Sequence, residues 1–243
     1  GADQAITLAD VTGDFDLTLT GDSASAVGLN AVDVDALAVT GTLTLNDNIT
    51  VDDSVDLSSN VASITLAANS VIDVATGGAD QAITLADVTG DFDLTLTGDS
   101  ASALGVDGAD VNALTLTGGV LTLNGDVESD GVLDFTNVGS ITLGGNVIVT
   151  SQNSDSSNAA GNITFDSVNI ITGASTLALD GDTVTLYQVG NGTTDPTQLT
   201  VTADTSLSLN ADLTVDGAVD LSNNVASITL AADSTIDASG GTN

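Results

Sequence analysis

Lysine, arginine, histidine, cysteine, methionine and tryptophan are all missing from this sequence. Phosphate backbones are held by Lys and Arg, and here there are none, while 34 acidic side chains give a formal charge of −34. Nucleic acid is therefore excluded as a partner, and the anionic face of a bilayer would be repelled as well. Without Cys there are no disulfides and no thiolate metal sites. Without Lys there is no Lys–Asn isopeptide cross-link. No apolar run approaches the roughly 20 residues that span a bilayer as a helix, so no membrane insertion is expected. Aromatic residues are confined to Phe15, Phe92, Phe135, Phe165 and Tyr187, and Pro196 is the only proline. An interior must therefore be built from Leu, Val, Ile and Ala, which suits a narrow, repetitive core better than a bulky one.

Charged residues make up only 14% of the chain and hydrophobic ones 42%, so the charge does not imply disorder. Every acid but Glu128 is Asp. Asp favours turns and strand ends, and with 26 glycines the composition points to many short strands joined by tight turns. In the run from 14 to 20, Phe15, Leu17 and Leu19 alternate with Asp16, Thr18 and Thr20, the period of a strand with one apolar face. No stretch carries the apolar spacing of a helix.

Repetition is the second signal. Residues 1–26 recur unchanged as 78–103, an offset of 77. Residues 43–77 return at 207–241, an offset of 164, and a degraded copy occupies 121–143. A shorter period lies beneath, since Ile64, Thr65, Leu66 is soon followed by Ile83, Thr84, Leu85. Strands with one apolar face at this period predict an all-β, right-handed parallel β-helix, a solenoid with coils of about 19–21 residues, or about 12 coils in all. Residues 1–243 read as a single β-solenoid segment of a larger or processed chain. Two stretches break the rhythm, 151–161 (polar and small) and 188–198 (with Pro196), and are expected as loop excursions. Asn46, Asn60, Asn124, Asn137, Asn210 and Asn224 fall at repeat-equivalent turns, where stacked amides would bond from coil to coil.

The strings Leu-Thr-Leu-Asn and Ser-Ile-Thr-Leu-Ala-Ala, at 43–46 with 63–68 and again in the later copies, resemble the giant secreted bacterial exoproteins of the filamentous-haemagglutinin-like, β-strand-repeat adhesin type. The resemblance is one of repeat style. It implies a β-helical shaft, an extracellular or bacterial cell-surface location, and a structural or adhesive role with a cell-surface or glycan ligand. It carries over no active residue.

Candidate chemistry is limited to carboxylates. A polysaccharide lyase needs a basic residue, and none exists. Glycoside hydrolysis needs two carboxylates at a set separation; Asp14/Asp16, Asp33/Asp35, Asp52/Asp53 and Asp91/Asp93 are conceivable pairs, but they recur in duplicated coils whereas a catalytic site is single. The chain is accordingly not expected to be an enzyme, and no cofactor is required. Asp14, Asp16, Asp52, Asp53, Asp91 and Asp93 are the candidate ligands for low-affinity Ca2+, because carboxylates are hard oxygen donors. The competing reading is a solvated acidic surface suited to salty water. Thr-x-Thr, a feature of ice-binding solenoids, occurs at Thr18/Thr20, Thr95/Thr97 and Thr115/Thr117, and these are not expected to recur on consecutive coils at one phase. The favoured function is a non-enzymatic extracellular shaft or filament building block that self-associates end to end or side by side. A glycan-binding or glycan-hydrolysing module is the alternative, with an ice-binding or calcium-dependent surface-layer element behind it.

Overall fold

The computed structural model describes residues 4–22, 24–74, 81–151, 161–165, 170–222 and 224–239. Among these the chain is all-β, with 26 strands and no helix, wound as a parallel β-solenoid of about 10 turns. It divides into two compact units, Gly1–Gly119 and Val120–Asn243.

In the first unit, alternation along each strand sends every second side chain inward. The strand Leu37–Leu45 buries its odd-numbered residues and turns the even-numbered ones outward. Parallel register then stacks like on like. Ile6 pairs with Val27, Val27 with Leu43, Leu43 with Ile64, Ile64 with Val88, and Val88 with Ala109. A second inward column runs Val32, Ile49, Ile72, Leu96, Leu116. Each aliphatic group inside these columns, such as Leu43 or Ile64, is sandwiched between the equivalent groups of the coils on either side. Full burial of one such side chain is worth about 1.5–3 kcal/mol.

The second unit repeats the device. Val147, Leu177, Leu199 and Val219 form one column, and Ile163, Val184, Leu207 and Ile228 another. Phe135 and Phe165 stack within its core at 4.9 Å between ring centroids, with planes 6° from parallel. They follow Leu133 and Ile163, which pair directly, so the aromatic contact obeys the same coil-on-coil rule as the aliphatics.

The expected period holds where Leu17 pairs with Leu37 and Ala82 with Ala103. It shortens where Val27 pairs with Leu43 and Val32 with Ile49, and elsewhere it stretches. Ile64 pairs with Val88 and Val189 with Leu213; the longest steps join Leu133 to Ile163 and Val147 to Leu177. The longer coils explain why there are about 10 turns rather than 12. The inward columns stay aligned across these longer steps. The longest steps contain the 151–161 stretch, of which residues 152–160 lie outside the described residues.

Gly90 shows how closely coils approach. Its φ is +145°, a region that side-chain-bearing residues rarely occupy. A Cβ there would lie 2.6 Å from the carbonyl oxygen of Leu66 on the preceding coil. Gly13 occupies the same place in the duplicated sequence, but the nearest atom to its Cβ is Cδ2 of Phe15 at 4.0 Å. The two glycines therefore differ in whether a coil lies beneath them. Gly90→Ala is expected to destabilise the first unit by about 1–3 kcal/mol, and Gly13→Ala by less than about 0.5 kcal/mol, in urea denaturation followed by circular dichroism. Equal losses at both positions would mean that coil stacking is not what makes glycine necessary.

Candidate functional site

The acidic residues singled out in the sequence lie on the outer wall. Asp14, Asp16, Asp52 and Asp53 come from neighbouring coils and converge on Asp35. The backbone sets this up: the Asp35 N–H donates to the carbonyl of Phe15 at 3.3 Å, and the Asp53 N–H to the carbonyl of Asp35 at 2.9 Å. Partial burial, and after it the carboxylates of Asp52, Asp14, Asp16 and Asp53, raise the Asp35 carboxyl above its ordinary value of 3.8. Nevertheless, among the described residues no three acidic side chains gather closely enough to hold a metal ion.

Asp91 and Asp93 have a different setting, although they duplicate Asp14 and Asp16. Asp93 accepts from the side-chain amides of Asn69, at 3.2 Å, and Asn112, and its own N–H donates to Oδ1 of Asn69 at 3.0 Å. Asn112 is the counterpart of Asp35 at the offset of 77. One copy therefore stacks carboxylate on carboxylate, while the other interleaves carboxylate with amide. Asp91 is exposed.

Two recurring side-chain devices were not read from the sequence. In the first, an Asp caps the turn that follows it. Oδ1 of Asp56 accepts from the N–H of Ser58 (2.9 Å), the hydroxyl of Ser58 (2.8 Å) and the N–H of Ser59 (3.1 Å), while Oδ2 accepts from the Ser59 hydroxyl at 2.6 Å. The Ser59 hydroxyl is the largest influence, and together these bonds hold the Asp56 carboxyl at about 2. Asp220 with Ser222, and Asp237 with Ser239, repeat the cap, and both carboxyls are lowered by the same serine bonds. The spelling Asp-x-Ser was the available signal.

The second device ties coil to coil through the turn Leu-x-x-Asn/Asp. The last residue accepts the backbone N–H of the next coil: Asn48 from Val71 (2.8 Å), Asn69 from Asp93 (3.0 Å), Asp126 from Ile148 (2.7 Å), Asn146 from Thr176 (3.0 Å) and Asp212 from Thr235 (2.7 Å). The sequence had pointed to Asn46, Asn124 and Asn210. The recurring acceptor lies further along the turn, at Asn48, Asp126 and Asp212, where the chain re-enters the strand and its side chain overhangs the following coil. Asn46 does bond between coils, from its amide to the carbonyl of Leu29 at 3.1 Å. Asn60, Asn137 and Asn224 are exposed, and Asn224 has a left-handed φ of 54°.

The register overturns the expectation for threonine. Thr95 pairs with Thr115 and Thr97 with Thr117 on consecutive coils at one phase. The two motifs lie a single coil apart. Thr18 and Thr20 stack instead on Ala38 and Thr40, and Val71 and Asp73 precede Thr95 and Thr97.

The stretch 188–198 is largely retained in the stack. The carbonyls of Thr194 and Pro196 accept the N–H groups of Gly173 (2.9 Å) and Asp216 (2.8 Å). Buried Asp195 accepts from the N–H groups of Asn191 (2.7 Å) and Gly192 (2.8 Å). Only 191–194 and 197–198 are exposed there. A shallow groove of about 320 Å³ lies in the second unit, between Asp126, Asn146, Ile148, Thr176 and Thr200. It offers a single carboxylate, Asp126, whose Oδ1 already accepts the N–H of Ile148. Hydrolysis of a glycoside by paired carboxylates has no second partner among the groove residues. No family model, no curated protein and no solved structure matches the chain.

The two kinds of carboxylate respond oppositely to acid. Asp35 binds its proton more tightly in the folded state, so its unfavourable contribution disappears as pH falls through its raised value. Asp56 binds less tightly when folded, so its contribution is present above 3.8 and is lost as pH falls toward about 2. The melting temperature is therefore expected to rise on acidification from neutrality toward 3.8 and to fall below it. Asp35→Asn flattens the upper branch and raises Tm at neutral pH, more so at low salt. Asp56→Asn lowers Tm at neutral pH and flattens the lower branch. Thermal melts from strongly acidic to neutral pH check both, and parallel profiles for the variants and the parent would refute the assignment.

Proposed function

We propose that this chain is a structural element: a non-enzymatic, extracellular β-helical shaft or filament building block with an acidic exterior, carried on a bacterial surface and used to display or link other surfaces. The observation that carries this reading is repetition of the same three devices from coil to coil: an inward aliphatic column, an Asn or Asp that bonds the next coil, and an Asp that caps its own turn. Such a construction resists extension because each coil is clamped to its neighbours by backbone bonds running along the stack. The likeness to filamentous-haemagglutinin-like exoproteins favours the same role. The absence of Lys and Arg removes every tryptic cleavage site, an advantage for a protein that persists outside the cell. Calcium enters as a loosely held counter-ion to the outer wall, with no dedicated cage among the described residues. Self-association and a glycan or cell-surface ligand are the partners proposed.

Pulling the chain from its two ends by single-molecule force spectroscopy tests this role, together with a panel of neutral and acidic oligosaccharides. The expected outcome is stepwise rupture of successive coils under load and no release of reducing sugar. Sugar release that disappears in Asp14→Asn, Asp16→Asn or Asp52→Asn, Asp53→Asn double variants would replace this reading with the glycan-hydrolysing one.

A further inference from the structure

The turn at 190–197 holds chemistry that the structural role does not use. It is clamped to the coils on both sides. Gly190 donates to the carbonyl of Ile171 at 2.8 Å and Thr197 to that of Ser175 at 2.9 Å, while the carbonyls of Thr194 and Pro196 accept from Gly173 and Asp216. Inside the turn Asp195 is only 4% exposed. Its Oδ1 accepts the N–H of Gly192 at 2.8 Å and that of Asn191 at 2.7 Å. Asn191 folds its side chain over the same turn, and its Oδ1 accepts the N–H groups of Thr193 at 2.9 Å and Thr194 at 3.4 Å. Gly192 has a φ of 77°, and nothing lies within 4 Å of where its Cβ would be. The Asn191–Gly192 peptide is thus exposed to water, yet its N–H is held by a buried carboxylate.

We propose that Asn191 is a self-modification site, which loses its side-chain amide as ammonia by closing a succinimide ring with Gly192. The nucleophile is the Gly192 nitrogen. The bond from the Thr193 N–H to Oδ1 closes a turn around that nitrogen and so holds Cγ of Asn191 beside it. The peptide is planar. Its proton points in the plane at Asp195, while the nitrogen's π electrons stand perpendicular to that plane and are free to attack Cγ. Asp195 takes the proton as the bond from the Gly192 nitrogen to Cγ forms. The charge that gathers on Oδ1 of Asn191 is met by the Thr193 and Thr194 N–H groups. The proton then passes to the departing nitrogen as the Cγ–Nδ2 bond breaks, and ammonia leaves into solvent. Water opens the ring at either carbonyl and leaves an aspartyl or isoaspartyl residue at position 191. No electrons are exchanged, and water is the only co-reactant.

The chain holds one other Asn-Gly pair, Asn124–Gly125. Asn124 is also exposed, but the carboxylate that follows it, Asp126, is engaged by the N–H of Ile148 in the next coil. The two pairs therefore differ in whether a carboxylate is aimed at the glycine N–H. The consequence of conversion is local. While the ring is closed, Asp195 keeps only the Asn191 N–H. Once the ring opens, a new carboxylate stands beside Asp195, in a turn that bonds to the coils on both sides. Conversion thus loosens this turn with age, at a rate that Asp195 sets.

The test is incubation of the whole chain in mildly alkaline buffer, both folded and in urea. Loss of ammonia at each asparagine is followed by mass spectrometry after cleavage at aspartate, since the chain has no tryptic site. Asn124 in the same molecule is the internal standard. In the folded chain Asn191 is expected to convert at least about tenfold faster than Asn124, a small part of what a positioned base supplies. In urea the two are expected to convert at one rate. Asp195→Asn keeps an oxygen that can accept both N–H groups but cannot take a proton, and Pro196 has no N–H with which the new amide could cyclise. This variant is expected to bring Asn191 down to the rate of Asn124 while Asn124 itself is unchanged. Equal rates at the two sites in the folded parent, or faster conversion of Asn191 in urea than in the fold, would overturn the proposal without any variant. So would an Asp195→Asn chain in which Asn191 keeps the parent's lead over Asn124.

Discussion

Parallel register between successive coils is the constraint on which the rest of this structure depends. A single coil has an apolar face too thin to bury itself. It becomes a core only when the next coil places Val or Leu directly over Ile, as Leu43, Ile64 and Val88 do. The same alignment brings backbone N–H and C=O groups into bonding range along the stack, so apolar burial and hydrogen bonding cannot be satisfied separately. Glycine at position 90 follows from this closeness, and so does the parallel stack of Phe135 on Phe165, the only described aromatic pair.

A chain with no cationic side chain must manage its acids by other means. Serine hydroxyls and turn N–H groups stabilise the charge on Asp56, Asp220 and Asp237. Asp126 and Asp212 put their charge to use by accepting a backbone N–H from the following coil. Where neither solution is present, as around Asp35, burial and after it the neighbouring carboxylates raise the carboxyl above its ordinary value. The contrast with Asn112, which occupies the equivalent place and donates to Asp93, shows that one oxygen-to-amide change converts a repulsive stack into a bonded one. These local devices also suit a mechanical role. Each is small, repeats at corresponding turns, and clamps one coil without requiring anything of distant ones.

Much of this was legible from residues alone. The alternation of Phe15, Leu17 and Leu19 with Asp16, Thr18 and Thr20 pointed to one inward face, which holds for Leu19 but not for Phe15, 81% exposed. The recurrence of Ile-Thr-Leu at 64–66 and 83–85 suggested that these two segments stack, but Ile64 pairs with Val88 and Ile83 with Val55, because the coil between them is longer than that spacing. The candidate site was legible in part. Asp14, Asp16, Asp52 and Asp53 do share one wall, but Asp35 as their centre emerges only from the bond between Asp53 and Asp35 across coils. The acceptor at Asn48, in place of Asn46, was hidden because adjacent turn residues look alike in sequence while their side chains leave the turn in different directions. The threonine pairs at 95–97 and 115–117 lie one expected coil length apart, so their stacking was legible in the spacing itself.

The sequence by itself pointed to a β-solenoid, since a barrel or sandwich also alternates with period two but its pairing has no reason to repeat at a regular longer period. It also determined that most charge would lie outside, for no cation exists to accompany an acid inward; buried Asp195 goes in only with the N–H groups of Asn191 and Gly192 as partners. Only tertiary structure decided which acids would be eased and which strained. Identical residues at 6–20 and 83–97 differ in burial because burial belongs to the neighbouring coil, and a carboxylate's proton affinity likewise depends on the group that the next turn of the chain sets beside it.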